Sequence, residues 1–413
     1  MIGFTKLLCG SATAAEAARQ QASGHVEPGL LHFSTDERPL VVWNVTHRCN
    51  LRCVHCYLDA DRRAFDAELN SEEAIHLIND LAALRVPVLL LSGGEPLLRK
   101  DTLGLAHYAR EKGIRPVLSS NGTLITHELA ARIRAAGIQY VGVSLDGLEA
   151  THDRFRCKPG AFRDAVAGIQ ACHAAGVKAG IRFTLNAHNL ADLAGVLNLV
   201  EELRVSRFCL YHLVYAGRGD HLKDHDVTPT QRRQAVQLLV DRVLDWDRRR
   251  VPIEVLTTDQ HADGVFLHAC LAERAPKRAA EVRRLLQRQG GCSAGCKIAS
   301  IDPLGNVHAC QFWGHATLGN VRERRFSDIW RDPADPLLCQ LRSKLHRVKG
   351  KCARCVHKDI CGGCRIRAEA VYGDLWAEDP ACYLTEQERT GNGVGGTGVQ
   401  PESLAPQPER LLR

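Results

Sequence analysis

The sequence lacks any long hydrophobic segment. Among its 413 residues, no uninterrupted apolar run approaches the roughly 18 residues that a membrane-spanning helix requires. The N-terminal stretch MIGFTKLLCGSATAAEAARQ has one lysine and a short, broken apolar stretch, whereas a secretory signal has a longer apolar core. We therefore expect no membrane span and no signal peptide, and we predict a cytoplasmic protein.

Long blocks of one charge are also missing. The 54 Lys and Arg residues against 47 Asp and Glu residues give a formal net charge of +7, an excess that many soluble proteins carry. This charge is compatible with an anionic substrate. No basic block with interleaved aromatic residues is present, so the composition does not favour nucleic-acid binding.

Cysteine, in contrast, is abundant, with 17 residues in the chain. Disulfides are not expected in a cytoplasmic protein, because its thiols are kept reduced. Three cysteines lie in THRCNLRCVHCYLD (46–59), and eight, leaving Cys339 aside, lie between positions 292 and 382. Clustering at short spacings indicates metal ligation rather than a disulfide framework.

Apolar, strand-like runs alternate with amphipathic stretches between about residues 40 and 213. The runs are PLVVWNVT, VPVLLLSG, RPVLSSNG, QYVGVSLDG, AGIRFTLN and SRFCLYHLV. One stretch between them opens with Ser71, Glu72 and Glu73, which suit the first turn of a helix. This alternation predicts an α/β fold with a parallel sheet, here an open, partial (β/α)6 TIM-like barrel. Its active residues should lie at the carboxyl ends of the strands.

The composition divides the chain into five parts. An N-terminal segment, 1–39, precedes the α/β core at 40–220, and an arginine-rich helical connector is predicted over 221–290. Cysteine, glycine and short strands then predict a small metal-organised domain over 291–384. The tail, 385–413, is rich in Gly, Pro and Gln and is predicted to be disordered.

The first cysteine group has the spacing C-x3-C-x2-C and follows the first predicted strand. Three thiolates can bind three irons of a 4Fe–4S cluster and leave the fourth iron open to another ligand. A zinc site is the alternative, with His47, His55 or a distant cysteine as the fourth ligand.

Polar and glycine-rich loops follow the other predicted strands. In SGGEPLL (92–98), adjacent glycines let the backbone approach a ligand, and Glu95 can accept hydrogen bonds from an ammonium group or hydroxyls. SSNGT, VSLDG and YHLVYAGRG follow the third, fourth and sixth strands. Each is an ordinary turn when taken alone, but together they predict a ligand site beside the cysteines.

With these motifs, residues 41–219 resemble the radical S-adenosylmethionine (SAM) superfamily. The resemblance implies that Cys49, Cys53 and Cys56 hold a 4Fe–4S cluster whose open iron binds SAM, and that reduction yields a 5′-deoxyadenosyl radical. It also places Tyr57 near the adenine of SAM. The other implied SAM contacts are Gly93, Gly94 and Glu95 at the methionine amino group, and Ser119, Asn121, Ser144 and Arg182 at the ribose or carboxylate.

The later cysteines have the spacings C-x3-C-x13-C and C-x2-C-x5-C-x2-C-x17-C. CARC…CGGC alone fits a zinc ribbon. Beside a radical SAM core, however, the pattern resembles the SPASM extension, which carries one or two auxiliary 4Fe–4S clusters. The implied ligand sets are Cys292, Cys296, Cys310 and Cys364, and Cys352, Cys355, Cys361 and Cys382. One departure is the C-x2-C spacing before Cys364, which is one residue shorter than usual.

Six cysteines remain outside these groups: Cys9, Cys157, Cys172, Cys209, Cys270 and Cys339. Most lie in apolar or helical contexts, so we predict buried, unreactive thiols. Cys9 is an exception, because it lies in a short N-terminal segment that could cover a site.

Both ends of the chain narrow the resemblance to the radical SAM proteins of alternative haem synthesis. The stretches MIGFTKLLCG, LLHFSTDERPLVVWNVTHRCNLRCVHCY and GNVRERRFSDIW carry it. It implies the removal of two acetate side chains from 12,18-didecarboxysiroheme to give Fe-coproporphyrin III, or a step of haem d1 synthesis. It also implies a low-potential electron donor such as flavodoxin or ferredoxin. Candidate ligands for the carboxylates of this anionic tetrapyrrole are Arg182, Arg207, Arg218 and His212.

Two other classes of function stay open. A SPASM peptide maturase would also carry several clusters, but such proteins often have a recognition domain before the core, and only about 40 residues precede the first strand here. A zinc-organised binding protein would be colourless and free of sulfide, whereas three clusters would give about 12 irons.

Overall fold

A computed structural model describes residues 1–10, 38–63 and 67–391. Eleven strands in these residues form one sheet, in the order β1-β8-β7-β6-β5-β4-β3-β2-β9-β10-β11. The strands are β1 Ile2–Gly3, β2 Leu40–Asn44, β3 Val88–Ser92, β4 Arg115–Ser120, β5 Tyr140–Ser144, β6 Lys178–Leu185, β7 Arg207–His212, β8 Glu254–Thr258, β9 Ile298–Ile301, β10 Asn306–His308 and β11 Gly319–Asn320.

Helices connect these strands and cover the sheet. In the described residues they are α1 Phe4–Cys9, α2 Ser71–Ala83, α3 Thr102–Glu111, α4 His127–Ala135, α5 Glu149–Arg156, α6 Ala161–Ala174, α7 Leu193–Glu202, α8 Pro229–Arg248, α9 Ala262–Arg274, α10 Pro276–Gln289, α11 Phe326–Trp330, α12 Pro336–Arg342, α13 Gly350–Arg354, α14 Arg365–Tyr372 and α15 Glu386–Thr390. Among the helices described, none combines the length and the apolar character needed to cross a membrane.

The six predicted strands form the centre of the sheet as β2 to β7. Each pairs in parallel with the next along the chain, which confirms the predicted parallel α/β arrangement. Their side chains are buried on both faces, with Trp43, Phe183 and Phe208 fully enclosed. Such burial explains why the strands read as continuous apolar runs rather than as an alternating pattern.

Helix α2 begins at Ser71, where the sequence suggests it, and the preceding residue caps it. The carboxamide oxygen of Asn70 accepts hydrogen bonds from the backbone N–H groups of Glu72 and Glu73, both at 3.0 Å. The Glu73 carboxylate in turn accepts the backbone N–H of Asn70 at 2.8 Å. Asn70 is therefore the capping residue, and Ser71 is the first residue of the helix.

The region predicted as a helical connector also contains a strand. Strand β8 lies between α8 and α9 and pairs in parallel with β7, while β1 pairs with its other edge in the antiparallel direction. The N-terminal segment thus begins as part of the sheet. The strand sequence EVLTT is short and lies between two strongly charged stretches. The sequence therefore did not predict a strand here.

The cysteine-rich region continues the same sheet. Strand β9 pairs in parallel with β2, with Ser300 opposite Val42, and β10 and β11 follow in antiparallel order. This pairing places the turn between β9 and β10 at the carboxyl end of β2, where the N–H of Leu69 donates to the carbonyl of Pro303 at 2.8 Å. Helix α15 falls within the stretch predicted to be a disordered tail, and the rest of that prediction, 392–413, lies outside the described residues.

The six remaining cysteines differ in exposure. Cys172, Cys209 and Cys270 are buried as predicted, and Cys9 is half-buried. The prediction is wrong for Cys157 and Cys339, which are exposed. Cys157 directly follows the last residue of helix α5 and caps it with a left-handed backbone (φ 53°).

Candidate functional site

A cavity opens at the carboxyl ends of the parallel strands, where the sequence predicts the site. Its empty volume, including solvent space at the open mouth, is about 1090 Å³. Its lining includes all three cysteines of the first group and seven of the eight predicted SAM contacts: Cys49, Cys53, Cys56, Tyr57, Gly93, Gly94, Ser119, Asn121, Ser144 and Arg182.

The cysteine loop is held by hydrogen bonds to its backbone. The N–H of Cys49 donates to the carbonyl of Asp61 at 2.6 Å, and the N–H of Cys56 donates to the carbonyl of Cys53 at 3.3 Å. Arg218, in the loop after β7, donates its Nε–H to the carbonyl of Cys53 at 2.8 Å. The loop is therefore fixed from both sides, so its three thiols face the cavity in a defined arrangement.

Burial raises the pKa of the Cys49 thiol to about 12, and it also raises the pKa of Cys53. Thiolates are the form that binds iron, so a bound cluster would have to supply the positive charge that stabilises them. The donor set of three cysteines facing one cavity fits a 4Fe–4S cluster with one open iron.

Two glycines join strand β3 to the cysteine loop. The N–H of Gly94 donates to the carbonyl of Thr46 at 2.7 Å, and the N–H of Glu95 donates to that of Arg48 at 2.8 Å. A Cβ on Gly93 would stand 2.5 Å from the carbonyl oxygen of Thr46, and one on Gly94 would collide with backbone carbonyls of the loop. Both positions therefore require glycine, because the backbone after β3 packs directly against the backbone of the cysteine loop. A contact with a ligand would be an additional role.

Glu95 is the predicted SAM contact that does not line the cavity. Its side chain is fully buried, and its carboxylate accepts the Ser120 hydroxyl and the Asn121 N–H, both at 2.9 Å. Burial raises the pKa of this carboxyl group to about 7. Glu95 therefore ties the end of β3 to the end of β4 and positions Asn121 at the wall.

Tyr57 forms part of the wall together with a residue of the cysteine-rich region. Its hydroxyl donates to Asn44 Oδ1 at 2.8 Å, and its ring packs edge-on against Phe312 with centroids 5.3 Å apart. Phe312 and the neighbouring Gln311 also line the cavity. The cavity wall is thus shared between the α/β core and the C-terminal region, which the sequence did not predict.

Arg182 lies on the opposite wall. Its guanidinium donates to the Ser119 hydroxyl and passes over Gly142 on the adjacent strand, where any Cβ would collide with it. The cavity therefore presents one guanidinium near two hydroxyl-bearing strand ends, a group of donors suited to a carboxylate or a ribose.

Sequence reasoning missed a buried ion pair behind the cysteines. Arg156 pairs with Asp146, whose side chain is 1% exposed, and donates to the Cys53 sulfur at 3.3 Å. His55 Nε2 lies 3.3 Å from the same carboxylate. Burial alone would raise the pKa of Asp146, but the charges of Arg156 and His55 lower it, so the carboxylate stays ionised. Arg156 comes from α5, 103 positions along the chain from Cys53, and no spacing rule connects the two.

Three of the four candidate carboxylate ligands are already engaged. Arg207 lies at the start of β7, away from the cavity, and pairs with Glu254, so its predicted role is not supported. His212 is buried, with Nε2 at 2.9 Å from Asp263 and Nδ1 at 2.7 Å from Arg232. Arg218 holds the cysteine loop. Only Arg182 of this group presents its guanidinium to the cavity without an ion-pair partner among the described residues.

Three cysteines of each predicted C-terminal group lie close enough for their charges to affect one another. Burial raises the pKa of Cys310 well above its usual value, and thiolate charges at Cys292 and Cys364 add to the rise. Burial likewise raises the pKa of Cys361, with Cys382 and Cys352 adding to it. Cys364 therefore lies near Cys292 and Cys310 despite the shortened spacing. Cys296 and Cys355 are assigned to these groups by sequence spacing alone.

Asp379 links the two groups. Its carboxylate accepts the N–H of Cys364 at 2.8 Å, and its own N–H donates to the Cys352 sulfur at 3.4 Å. Arg367 pairs with both of its oxygens, at 3.0 and 2.9 Å. One buried ion pair thus fixes the backbone beside cysteines of both groups.

Within residues 1–10, 38–63 and 67–391, no three His, Cys, Asp or Glu side chains are arranged to hold a single metal ion. Each thiolate of an iron–sulfur cluster binds a different iron, so such ligands surround a cage rather than a point. His47 Nε2 lies 3.0 Å from the carbonyl of Leu58, and His55 faces Asp146.

Comparisons with known proteins agree with this geometry. Residues 43–200 match the radical SAM superfamily, and residues 292–356 match an iron–sulfur cluster-binding domain. The chain is 48% identical, over 94% of its length and 98% of the relative, to the Fe-coproporphyrin III synthase of Methanosarcina barkeri. It is 41% identical, over 88% of its length and 91% of the relative, to the pre-heme d1 synthase of Dinoroseobacter shibae.

A solved structure with the same fold is Streptococcus suis SuiB bound to S-adenosylmethionine. The TM-score is 0.67 at 19% identity, covering 89% of this chain and 80% of SuiB. The predicted fold class is confirmed, with parallel strands in a radical SAM core and a cysteine-rich C-terminal domain. The domain matches also confirm the predicted cofactors, SAM and iron–sulfur clusters, over the zinc alternatives.

Proposed function

Because this chain belongs to the radical SAM superfamily and carries a SPASM domain, we propose that it removes the two acetate side chains of 12,18-didecarboxysiroheme to give Fe-coproporphyrin III. The observation that carries the proposal is the likeness to Fe-coproporphyrin III synthase, which extends over both the cavity and the cysteine-rich region. The enzyme class follows from the family. The identity of the substrate is our proposal.

The residues that would hold the cofactors are those of the cavity wall. Cys49, Cys53 and Cys56 would bind the first cluster, and Tyr57, Asn121 and Arg182 would contact SAM. When bound, the cluster and SAM supply a 5′-deoxyadenosyl radical that takes a hydrogen atom from the substrate. The two C-terminal cysteine groups would hold auxiliary clusters.

The chain itself orients the cysteines and encloses the site. Arg156 and Arg218 fix the thiols and the loop backbone. The contact between Tyr57 and Phe312 closes the wall between the two domains. Closure matters for radical chemistry, because a water-excluding site suppresses side reactions of reactive species.

Recognition of the anionic tetrapyrrole would depend on the available positive charge. Arg182 is the cavity guanidinium that is free of an ion pair among the described residues, and Tyr211 lies beside it on the lining. Arginine pairs well with carboxylates because its planar fork matches their geometry. We infer that Arg182 meets a carboxylate of either SAM or the tetrapyrrole.

The remaining partners follow from the chemistry. Reduction of the first cluster needs a low-potential donor such as flavodoxin or ferredoxin, and we keep this prediction. We also keep the cytoplasm as the expected compartment, on the ground that 17 cysteines stay reduced there.

Anaerobic turnover tests the proposal. Reconstituted protein is incubated with SAM, a strong reductant and 12,18-didecarboxysiroheme, and products are identified by mass. We expect 5′-deoxyadenosine together with a tetrapyrrole that has lost both acetate groups. Absence of both products would overturn the proposal, and a Cys53→Ala control should abolish SAM cleavage.

A second candidate function is the synthesis of pre-heme d1. The 41% identity to the pre-heme d1 synthase favours it as an alternative. The same incubation distinguishes the two, because a tetrapyrrole that keeps its acetate groups and loses other side chains would support the second function.

A further inference from the structure

Beside the second C-terminal cysteine group lies a guanidinium whose hydrogen-bonding capacity is only partly used. Arg365 is the first residue of α14, directly after Cys364, and its side chain is fully buried. Its Nη1 donates to the carbonyls of Leu375 and Ala377, at 3.0 and 2.7 Å. Its Nε and Nη2 have no hydrogen-bond partner among the described residues. A buried donor left unpaired is destabilising, because it has given up its hydrogen bonds to water.

These unpaired donors are next to a cysteine of the group. Measured from the position that a Cβ on Gly363 would take, Arg365 Nη2 is 2.7 Å away and Cys352 Sγ is 3.3 Å away. The guanidinium and the sulfur thus share one face of Gly363.

A neighbouring arginine provides a contrast. Arg367 is equally buried, but its donors reach both oxygens of Asp379 and the carbonyls of Leu213 and Asp259, the last two at 3.2 and 2.6 Å. The protein itself therefore satisfies Arg367. For Arg365, Nε and Nη2 are left unpaired by the described part of the protein, and the cysteine sulfur beside Nη2 is that of Cys352.

We propose that Arg365 is a positioning residue for the auxiliary cluster of Cys352, Cys355, Cys361 and Cys382, and that it donates hydrogen bonds from Nε and Nη2 to the cluster's sulfur atoms. Hydrogen bonds and positive charge near such sulfurs stabilise the reduced cluster and raise its reduction potential. The inference rests on the proposed ligand set, but it is independent of the tetrapyrrole substrate.

A redox titration followed by electron paramagnetic resonance tests this role. The full chain carries Cys49→Ala, Cys53→Ala and Cys56→Ala, so that only the auxiliary clusters contribute to the signal. Arg365→Gln removes the charge, and Arg365→Lys keeps the charge but loses the fork. Arg354→Gln is the matched control, because Arg354 lies two residues after Cys352 and is exposed. Iron content is measured for every variant.

In Arg365→Gln we expect the oxidised-to-reduced ratio of this cluster to rise about tenfold at a fixed potential, which equals a midpoint about 59 mV lower for one electron. Arg365→Lys should shift it less, and Arg354→Gln by less than twofold. The cluster of Cys292 and Cys310 should change less than its neighbour and serves as an internal reference.

Two results would overturn the inference. One is full iron content with an unshifted midpoint in Arg365→Gln. The other is loss of about four irons in both Arg365 variants, which would make Arg365 a structural support. If only Arg365→Gln loses iron, the midpoint potential of Arg365→Lys is used instead. A lowered midpoint then supports the inference, and an unshifted midpoint overturns it. Failure of tetrapyrrole turnover would leave these readouts unaffected.

Discussion

Replacing Gly94 by alanine should displace the cysteine loop and impair SAM cleavage. The added Cβ would stand 2.7 Å from the carbonyl oxygen of His47 and closer still to that of Arg48. Even a close carbon–oxygen contact in proteins is about 3.3–3.6 Å. Both obstacles are backbone, so no side chain can rotate to relieve the overlap, and the loop must move by several tenths of an ångström or more.

The expected size of the effect follows from the contacts at this junction. Overpacking a well-packed site costs about 1–3 kcal/mol. Movement of the loop would also weaken the hydrogen bonds from Gly94 to Thr46 and from Glu95 to Arg48, each worth about 1 kcal/mol. We expect a loss of about 2–4 kcal/mol in unfolding free energy. Because a misplacement of about 1 Å can reduce catalysis about 100-fold, SAM cleavage should fall by at least tenfold.

The matched control is Gly104→Ala, in helix α3. A Cβ there would meet no atom within 4 Å, and alanine is favoured over glycine in helices by about 1 kcal/mol. This variant should be as stable as the parent or more so, with unchanged SAM cleavage. Urea denaturation, iron content and 5′-deoxyadenosine formation are the assays. Gly94→Ala with parental values in all three would refute the proposed role of the glycine.

Three further predictions follow from the same structure. Asn70→Ala should lower the unfolding free energy by about 1 kcal/mol because it removes the cap of α2, and Ser71→Ala should lower it by less than half as much; urea denaturation compares them. Burial raises the pKa of Glu95 from 4.5 to about 7, so between these values the folded chain binds more protons than the unfolded chain. The unfolding free energy should therefore fall as pH rises through this window, and Glu95→Gln should flatten the dependence; a parental slope in Glu95→Gln would contradict the assignment. Arg182→Gln should raise KM for SAM or the tetrapyrrole about tenfold, whereas Arg207→Gln should leave both KM values unchanged and lower stability through loss of the Glu254 pair; steady-state kinetics distinguishes them.

The parallel sheet could be predicted from the sequence because its strands are buried on both faces. Burial of this kind produces uninterrupted apolar runs that end in glycine or polar turns. The carboxyl ends of parallel strands meet at one edge, so the cysteine loop and the polar turns had to converge there. The cavity lining, from Cys49 to Arg182, follows from this single rule.

The parts that could not be predicted depend on contacts between distant segments. Arg156 reaches Cys53 from a helix, and Phe312 reaches Tyr57 from the C-terminal region. Neither contact has a local signature, because both are set by how the strands pair. The pairing of β9 with β2, which attaches the C-terminal region to the core sheet, joins segments more than 250 positions apart.

One error came from the assumption that the charge of Arg207 has no partner in the protein. Arg207 was considered as a carboxylate ligand, but β8 places Glu254 directly opposite it. Because strand β8 was not predicted, the partner of Arg207 could not be foreseen, and Arg207 was wrongly considered as a ligand. For Glu95 the structure shows three acceptor contacts within the protein, and its contact with SAM stays a prediction.

The central claim is that the radical acts on the acetate groups of a tetrapyrrole. The most direct measurement uses 12,18-didecarboxysiroheme with deuterium at the acetate methylene positions, and it follows the mass of the 5′-deoxyadenosine formed by the reconstituted protein. We predict deuterium in 5′-deoxyadenosine together with loss of both acetates. Product formation with unlabelled 5′-deoxyadenosine, or 5′-deoxyadenosine without any change in the tetrapyrrole, would contradict the claim.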